Sequence, residues 1–167
     1  NAGHALTVNG DLYNSGALTI NSDGTGNSGS LIVTGTGSGN VTYNRMLRPE
    51  AVLGDRHFFS SPVAGQTISG FISANSGRIE QVATVYQIWV YLETDGTWPI
   101  VSTGNFVSGR GYNIDQASAS NGLLSFTGPL ATPGIITVAT TSPYDDCSFS
   151  GIDYASRPMA VGRDNLA

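Results

Sequence analysis

A sequence repeat at the start of the chain constrains the fold more than any other feature. The segment ALTVNG at residues 5–10 returns as ALTINS at residues 17–22 and as SLIVTG at residues 30–35. Apolar and polar residues alternate in each copy, as they do in a strand with one buried face. Each copy ends in Asn, Gly, Ser or Asp, which favour tight turns. Short strands at a nearly constant spacing predict the stacked rungs of a β-solenoid.

The repeat divides the chain into two predicted regions, and both are all-β. Residues 1–44 are predicted to form about three solenoid-like rungs, with an ordinary β-meander as the alternative. Residues 45–167 are predicted to form an antiparallel, jelly-roll-like β-sandwich, because turn residues separate many short strands there. The chain starts and stops inside recognisable patterns, so we expect it to be a fragment of a longer chain. From residue 41 onward the predicted strands are 41–47, 57–61, 84–93, 97–102, 111–115, 123–127 and 135–140, with a short helical turn within residues 66–75.

The charge pattern excludes several classes of partner. Only 11% of the residues are charged, the net charge is −5, and all seven basic residues are Arg. Nucleic acids require a basic stripe that this chain lacks, and an anionic membrane surface would repel it. No apolar run reaches the length of a membrane span, which argues against membrane insertion. A surface of Ser, Thr, Asn and Gly is typical of secreted β-proteins, so we expect an extracellular location.

A β-hairpin is predicted around Asp95-Gly96, a dipeptide that favours a two-residue type I′ turn. In that register the facing pairs are Glu93 with Trp98, Tyr91 with Ile100, and Trp89 with Ser102. Side chains alternate between the two faces of a strand. One face of the hairpin therefore holds Trp89, Tyr91, Glu93 and Trp98. The opposite face is the better candidate for the core and holds Tyr86, Ile88, Val90, Leu92, Pro99 and Val101.

The face with both tryptophans has two interpretations. Aromatic rings on a sheet can stack on sugars while polar groups such as Gln87 and Glu93 hold the hydroxyls, which would make it a glycan-binding site. Alternatively, a second layer that includes residues 62–78 covers the rings and makes them part of the core, as is usual for Trp.

Motifs for catalysis and for cofactors are weak. Residues 24–29 fit the string G-x-G-x-x-G, but a strand pattern follows instead of the helix that a dinucleotide site needs. The sequence has no nucleophile elbow, and His57 lies beside two phenylalanines, where a structural role is expected. The glutamates, Glu50, Glu80 and Glu93, are scattered. We therefore predict no catalytic residue, no enzyme activity and no cofactor.

Metal binding is also weakly supported by the sequence. No H-x-x-H or C-x-x-C spacing occurs, so no metal site is predicted. Asp145, Asp146 and Asp153 offer oxygen ligands for calcium, although an acidic loop cluster without EF-hand spacing is more often solvated. Cys147 is the only cysteine, so no disulfide forms within the chain.

Several segments together carry a resemblance to a known type of module. They are the three repeat copies, VTYNR at 41–45, HFFSSPV at 57–63, WVY at 89–91, GTW at 96–98, FVSGRGY at 106–112 and FTGPL at 126–130. The order of these segments resembles a module of large secreted and surface proteins of Bacteroidetes, in which solenoid repeats run into a β-sandwich. That resemblance implies export by the type IX system, an adhesive or structural role at the bacterial cell surface, and no catalytic residues.

The expected function is a non-enzymatic extracellular structural or adhesive module. Exposed strand edges and an unfinished solenoid end are templates on which another chain can continue a sheet, so the expected partners are copies of itself, in a filament, or other surface proteins. A carbohydrate-binding module that uses Trp89, Tyr91, Glu93 and Trp98 is the alternative. A glycoside hydrolase is a third hypothesis, and it requires two carboxylates within about 10 Å of each other in a cleft.

Overall fold

The computed structural model describes residues 2–23, 25, 27–47, 56–117 and 122–130. Strands dominate these residues and form several small sheets, none of them closed, so the predicted all-β class is confirmed. In chain order the elements are β1 (Ala5–Val8), β2 (Leu12–Tyr13), β3 (Leu18–Asn21), β4 (Ser30–Val33), β5 (Gly37–Ser38), β6 (Asn40–Met46), β7 (Arg56–Phe59), α1 (Ile68–Asn75), β8 (Gln81–Val82), β9 (Val85–Tyr86), β10 (Ile88–Val90), β11 (Tyr112–Asp115) and β12 (Leu123–Pro129).

The first six strands form two stacked triplets. Strand β1 pairs with β4, β2 with β5 and β3 with β6, always in parallel. We call β1, β2 and β3 the first triplet, and β4, β5 and β6 the second triplet. The stacking places Leu6 against Leu31 and Val8 against Val33, so apolar side chains lie on apolar side chains. Contact between these side chains removes part of their apolar surface from water, which stabilises the stack.

Each of the three repeat copies forms a strand, as predicted, but the copies do not pair in sequence order. The first copy, β1, pairs with the third copy, β4, whereas the second copy, β3, pairs with β6. The reason is the length of chain needed to return to the same position. Asp11 and Thr36, which are 25 residues apart, face each other through the hydrogen bond from the Thr36 N–H to Asp11 Oδ1. A spacing of 12 residues leads from β1 only to β3 of the same triplet, and the next 13 residues lead to β4 of the second triplet, which pairs with β1.

Strand β6 joins the repeat region to the rest of the molecule. It pairs with β3 on one side and, antiparallel, with β12 on the other. The predicted boundary between residues 44 and 45 therefore falls inside a strand. Ile20 and Val41 from the repeat region are buried in the same core cluster as Phe126 of β12. The two predicted regions thus share both a strand and a core.

An aromatic cluster connects the sheet of β12, β6 and β3 with the sheet of β10, β11 and β7. The ring of Phe59 on β7 lies 5.6 Å from that of Phe126 on β12, between centroids. Helix α1 contributes Phe71, whose ring stacks on Phe126 at 4.7 Å. The helix begins after Thr67, whose Oγ1 accepts a hydrogen bond from the Gly70 N–H. The helical turn expected within residues 66–75 is therefore present and packs on the core side.

The other predicted strands are found with changed limits. Residues 41–47, 57–61, 111–115 and 123–127 correspond to β6, β7, β11 and β12, and residues 84–93 divide into β9 and β10. Residues 97–102 make only isolated bridges to the β10 side of the hairpin. The strand expected at residues 135–140 lies outside the described residues. Among the described residues, no helix has the length and apolar character that a membrane span requires.

Candidate functional site

The hairpin around Asp95-Gly96 forms, but its predicted register is wrong by two residues. Leu92 faces Thr97 and Trp89 faces Ile100, so residues 93–96 form a four-residue loop. Asp95 Oδ1 accepts hydrogen bonds from the N–H of Thr97 at 3.1 Å and from its hydroxyl at 2.7 Å. This contact favours pairing from Thr97 onward, and Gly96 closes the loop with a φ of 67°. A shift of two residues preserves the face on which each side chain lies.

The side chains of the hairpin therefore lie on the faces that the sequence predicted. Ile88 and Val90 are buried in the core, while Tyr91 and Trp98 lie together on the opposite face. The rings of Tyr91 and Trp98 have centroids 5.0 Å apart, and Phe58 of β7, which β11 separates from β10, approaches Trp98 to 5.9 Å. We call the surface formed by Phe58, Trp89, Tyr91 and Trp98 the aromatic face.

The aromatic face is open to solvent in the part of the chain that the structure describes. The exposed fractions are 37% for Tyr91, 42% for Trp98 and 72% for Phe58. Residues 62–78 do not cover these rings, because α1 lies on the core side, where Phe71 stacks on Phe126. The interpretation that this segment buries the tryptophans is wrong.

Trp89 differs from the other rings of the face. It is half-buried, and the guanidinium of Arg56 lies 4.8 Å from the centre of its ring. A cation above an indole ring is attracted by the ring's electron density. The Arg56 Nε lies 3.7 Å from Asp115 Oδ1, which is an ion pair but too long for a hydrogen bond. Arg56 therefore occupies the ring surface that Trp89 would offer to a ligand.

The polar residues expected to contact a sugar are only partly available. Gln87 is buried, and its side-chain amide donates to the backbone oxygen of Val85 at 2.8 Å, so its expected contact with a ligand is not supported. Glu93 is partly exposed and lies in the hairpin loop next to the face. Arg110 was not anticipated from the sequence, and it donates to the backbone oxygen of Tyr91 at 3.1 Å.

The carboxyl group of Asp115, beside the aromatic face, has a raised pKa. Burial raises the pKa of Asp115 above its ordinary value of 3.8, and the nearby Glu80 raises it further. The electrostatic interactions of Asp115 with Arg56 and His57 lower this pKa and act in the opposite direction. Asp115 Oδ1 has no hydrogen bond among the described residues. This group carries a partly compensated buried charge, and its strand position places it next to the Arg56–Trp89 contact.

The first triplet has an edge that no described strand pairs with. Backbone groups alternate in direction along a strand, and the second triplet receives those of even-numbered residues: the Val8 oxygen accepts from Thr34, and the N–H of Leu12 donates to Thr36. The N–H and C=O groups of odd-numbered residues point the other way. The residues at the centre of this edge are Thr7, Tyr13 and Thr19. We call this side of β1, β2 and β3 the open edge.

A cleft of about 410 Å³ lies where the two triplets meet β7. Its walls are mainly apolar and include Leu31, Phe59 and Phe126. Arg45, also in its lining, donates from Nη1 to Ser28 Oγ at 2.7 Å. Among the described residues that line this cleft, there is no carboxylate or histidine.

Other predicted features can be placed only in part. Within the described residues, no group of three or more His, Cys, Asp and Glu side chains could hold a metal ion. The calcium candidates Asp145, Asp146 and Asp153 lie outside those residues, as do Cys147 and Glu50. Residues 24–29 lie between two strands, β3 and β4, and no helix follows them, as their structural interpretation requires. Their two first glycines are outside the described residues.

Phe58 and Arg56 also belong to or border the aromatic face, and neither was predicted from the sequence. The position of Phe58 could have been predicted, because two adjacent residues of a strand point to opposite faces of the sheet. Phe59 packs against Phe126 in the core, so Phe58 must lie on the opposite face. No local pattern identifies Arg56. Its position over Trp89 depends on the pairing of β7 with β11 and of β11 with β10.

Comparisons of the chain with protein-family models, with curated proteins and with solved structures gave no match.

Proposed function

We propose that the chain is a non-enzymatic, extracellular structural module of a bacterial surface protein, and that a second copy of the chain adds to its open edge. In this proposal the two triplets are rungs of a β-solenoid, and the sheets that share the aromatic cluster form a jelly-roll-like β-sandwich. The open edge is the functional surface, because it presents a template for further strands.

The open edge carries this proposal. Unpaired N–H and C=O groups along a strand are a template for another chain. Charged residues, especially Lys, and Pro are the residues that usually block such an edge. The strands β1, β2 and β3 contain none of them. Leu6 stacks on Leu31 on one side, yet it is 49% exposed, so apolar surface is also available for burial.

The outer edge of the second triplet favours a dimer of two chains over the filament that was expected from the sequence. A head-to-tail filament would need the outer edges of β4, β5 and β6, but β12 already pairs with β6 along its length. Two copies that meet at their open edges use the same surface twice, and such an interface closes at a dimer.

The extracellular location and the bacterial source are supported by the sequence. The order of the repeat and the later motifs resembles surface proteins of Bacteroidetes, and a neutral, hydroxyl-rich surface suits a secreted protein. The resemblance also favours adhesion as the wider role of the module.

Sedimentation velocity over a wide concentration range tests the assembly. We expect reversible association that ends at two copies. Thr7→Pro removes an N–H on the open edge without removing a hydrogen bond to β4, so this variant is expected to stay monomeric. Thr7→Ala keeps the N–H and is the matched control, expected to associate like the unaltered chain.

Two results would contradict the structural role. One is a chain that stays monomeric at the highest concentration reached, and the other is Thr7→Pro associating as strongly as Thr7→Ala. Circular dichroism of the three proteins verifies that each is folded, so that loss of association is not loss of the fold.

A carbohydrate-binding module is the second candidate, and the exposure of Tyr91 and Trp98 favours it. Their neighbouring rings present apolar surface with polar groups beside it, which is the arrangement that stacks on sugars. Titration with oligosaccharides, followed by tryptophan fluorescence, tests this function. Trp98→Ala is expected to lose the response, whereas Tyr13→Ala, an exposed aromatic residue of the first triplet, is expected to keep it. A chain that responds to no glycan would exclude this candidate.

A further inference from the structure

We propose that the aromatic face takes a single soluble chain of neutral sugars, and neither a crystalline polysaccharide surface nor an acidic glycan. This inference rests on the second proposed function, sugar binding, and names the class of glycan. It is independent of assembly at the open edge, because the aromatic face lies on the sheet of β7, β10 and β11 and not on the first triplet.

The angles between the rings exclude a flat ligand. The planes of Tyr91 and Trp98 are tilted by 42°, and those of Phe58 and Trp98 by 60°. Rings tilted this strongly cannot all lie against one plane. A crystalline polysaccharide presents a flat surface, so it would contact one ring at a time. A single chain in solution can rotate about its glycosidic bonds and place successive sugars against rings of different orientation.

Arg56 prevents the face from becoming flatter. Trp89 would be the natural continuation of the platform, because it lies on the same face as Tyr91 and Trp98. The guanidinium 4.8 Å from the Trp89 ring centre occupies that position instead. A sugar is therefore expected to stack on Tyr91, Trp98 and Phe58, and to meet the edge of Arg56 through its hydroxyls.

The charges around the face match a neutral ligand. Arg56 and Arg110 supply guanidinium groups, and the carboxylates near them belong to Glu80, Glu93 and Asp115. The two signs offset each other locally, while the net charge of the chain is −5. The net negative charge of the chain would therefore repel an acidic polysaccharide at long range. At the face itself, the balanced charges form no positive patch that could bind it. Sugar hydroxyls both donate and accept hydrogen bonds, so carboxylates and guanidinium groups together suit them.

Isothermal titration and pull-down with defined probes test the inference on the unaltered chain. The soluble neutral probes are xylan, laminarin and amylose oligosaccharides, the flat probes are crystalline cellulose and chitin, and the acidic probe is polygalacturonate. We expect at least one neutral oligosaccharide to bind. Trp98→Ala should weaken this binding about tenfold, whereas Tyr13→Ala should leave it unchanged.

Phe58→Ala separates a chain-like ligand from a single sugar. This substitution removes the ring that is tilted most strongly against Trp98, and Phe58 is too exposed to support the core. We expect it to weaken the binding of long oligosaccharides about threefold and to leave the binding of short ones unchanged. Equal effects on both lengths would contradict a ligand that runs along several rings.

The remaining outcomes separate this inference from the function on which it rests. Retention on crystalline cellulose or chitin without binding of soluble chains would overturn the argument from ring angles. A preference for polygalacturonate would overturn the argument from charge, with sugar binding intact. Absence of binding to every probe would overturn sugar binding itself. If Trp98→Ala instead abolishes self-association in sedimentation, the face is a protein contact.

Discussion

Asn44 donates a hydrogen bond from its side-chain amide to the side-chain oxygen of Asn21, at 2.8 Å. The two residues lie at equivalent positions of β6 and β3, so the contact links the second triplet to the first. The hydroxyl of Ser125 on β12 donates to the oxygen of Asn44 at 2.7 Å and continues the same row. The row thus crosses the whole sheet of β12, β6 and β3.

Loss of the amide of Asn44 should weaken the stack. Asn44→Ala leaves Asn21 and Ser125 without their hydrogen-bond partner in a partly buried position. We expect the free energy of unfolding to fall by about 1 to 2 kcal/mol, measured by chemical denaturation. Asn40→Ala, at an exposed position of the same strand, is the control and should change it by less than about 0.5 kcal/mol. Equal effects of the two substitutions would contradict the role of the row.

A second prediction concerns the turn before β6. Gly39 has a φ of 84°, and a Cβ atom there would overlap the backbone oxygen of Asn14 in the first triplet. Gly39→Ala should therefore reduce the free energy of unfolding by at least about 2 kcal/mol. Gly16→Ala is the matched control, because no atom of the described residues lies within 4 Å of its added Cβ. Thermal unfolding of both variants compares them, and equal melting temperatures would contradict the close contact between the triplets.

The positions of the strands could be predicted from the sequence, but the pairing between strands could not. The alternation of the repeat copies predicted where strands form, because that pattern is local. It did not predict that β1 pairs with β4, because pairing depends on how many residues the chain needs to complete a turn. The hairpin is a similar case: the faces of Tyr91 and Trp98 followed from alternation, but the contact of Asp95 with Thr97 set the register. Arg56 over Trp89 could not be anticipated, because three strands must align to create it.

Asn75 supports β12 from the end of α1, and this role also had no sequence signal. Its side chain accepts from the Ser125 N–H at 2.8 Å and donates to the Ser125 oxygen at 2.9 Å, as a neighbouring strand would. Asn75→Ala leaves both groups without that partner, in a partly buried position. We expect a loss of roughly 2 kcal/mol or more in the free energy of unfolding. Ser73→Ala, exposed on the same helix, should have little effect, and a similar loss there would contradict this role.

Asp115 should make stability depend on pH in an unusual direction. Burial raises the pKa of Asp115 in the folded chain above its unfolded value. The folded chain therefore binds a proton more readily than the unfolded chain, and protonation of Asp115 stabilises the fold as the pH falls through the raised pKa. At neutral pH the buried charge is unfavourable, so Asp115→Asn is expected to be more stable than the unaltered chain.

Chemical denaturation at several pH values measures this effect. The advantage of Asp115→Asn should be largest near neutral pH and should shrink as the pH falls through the raised pKa of Asp115, because the aspartate then becomes protonated. Arg56→Gln, which removes a positive charge beside Asp115, should raise the pKa of Asp115 further in a carboxyl NMR titration. An advantage that grows as the pH falls would contradict the assigned direction.

The open edge is tested most directly by hydrogen exchange of individual amides at low and high protein concentration. The amides of Thr7, Tyr13 and Thr19 point away from the second triplet, whereas those of Leu6 and Leu12 donate to it and serve as internal references. We expect the first three amides to exchange rapidly in dilute solution and to become protected as the concentration rises, with the references protected throughout. Rapid exchange of all three at concentrations where the chain is associated would contradict pairing at this edge.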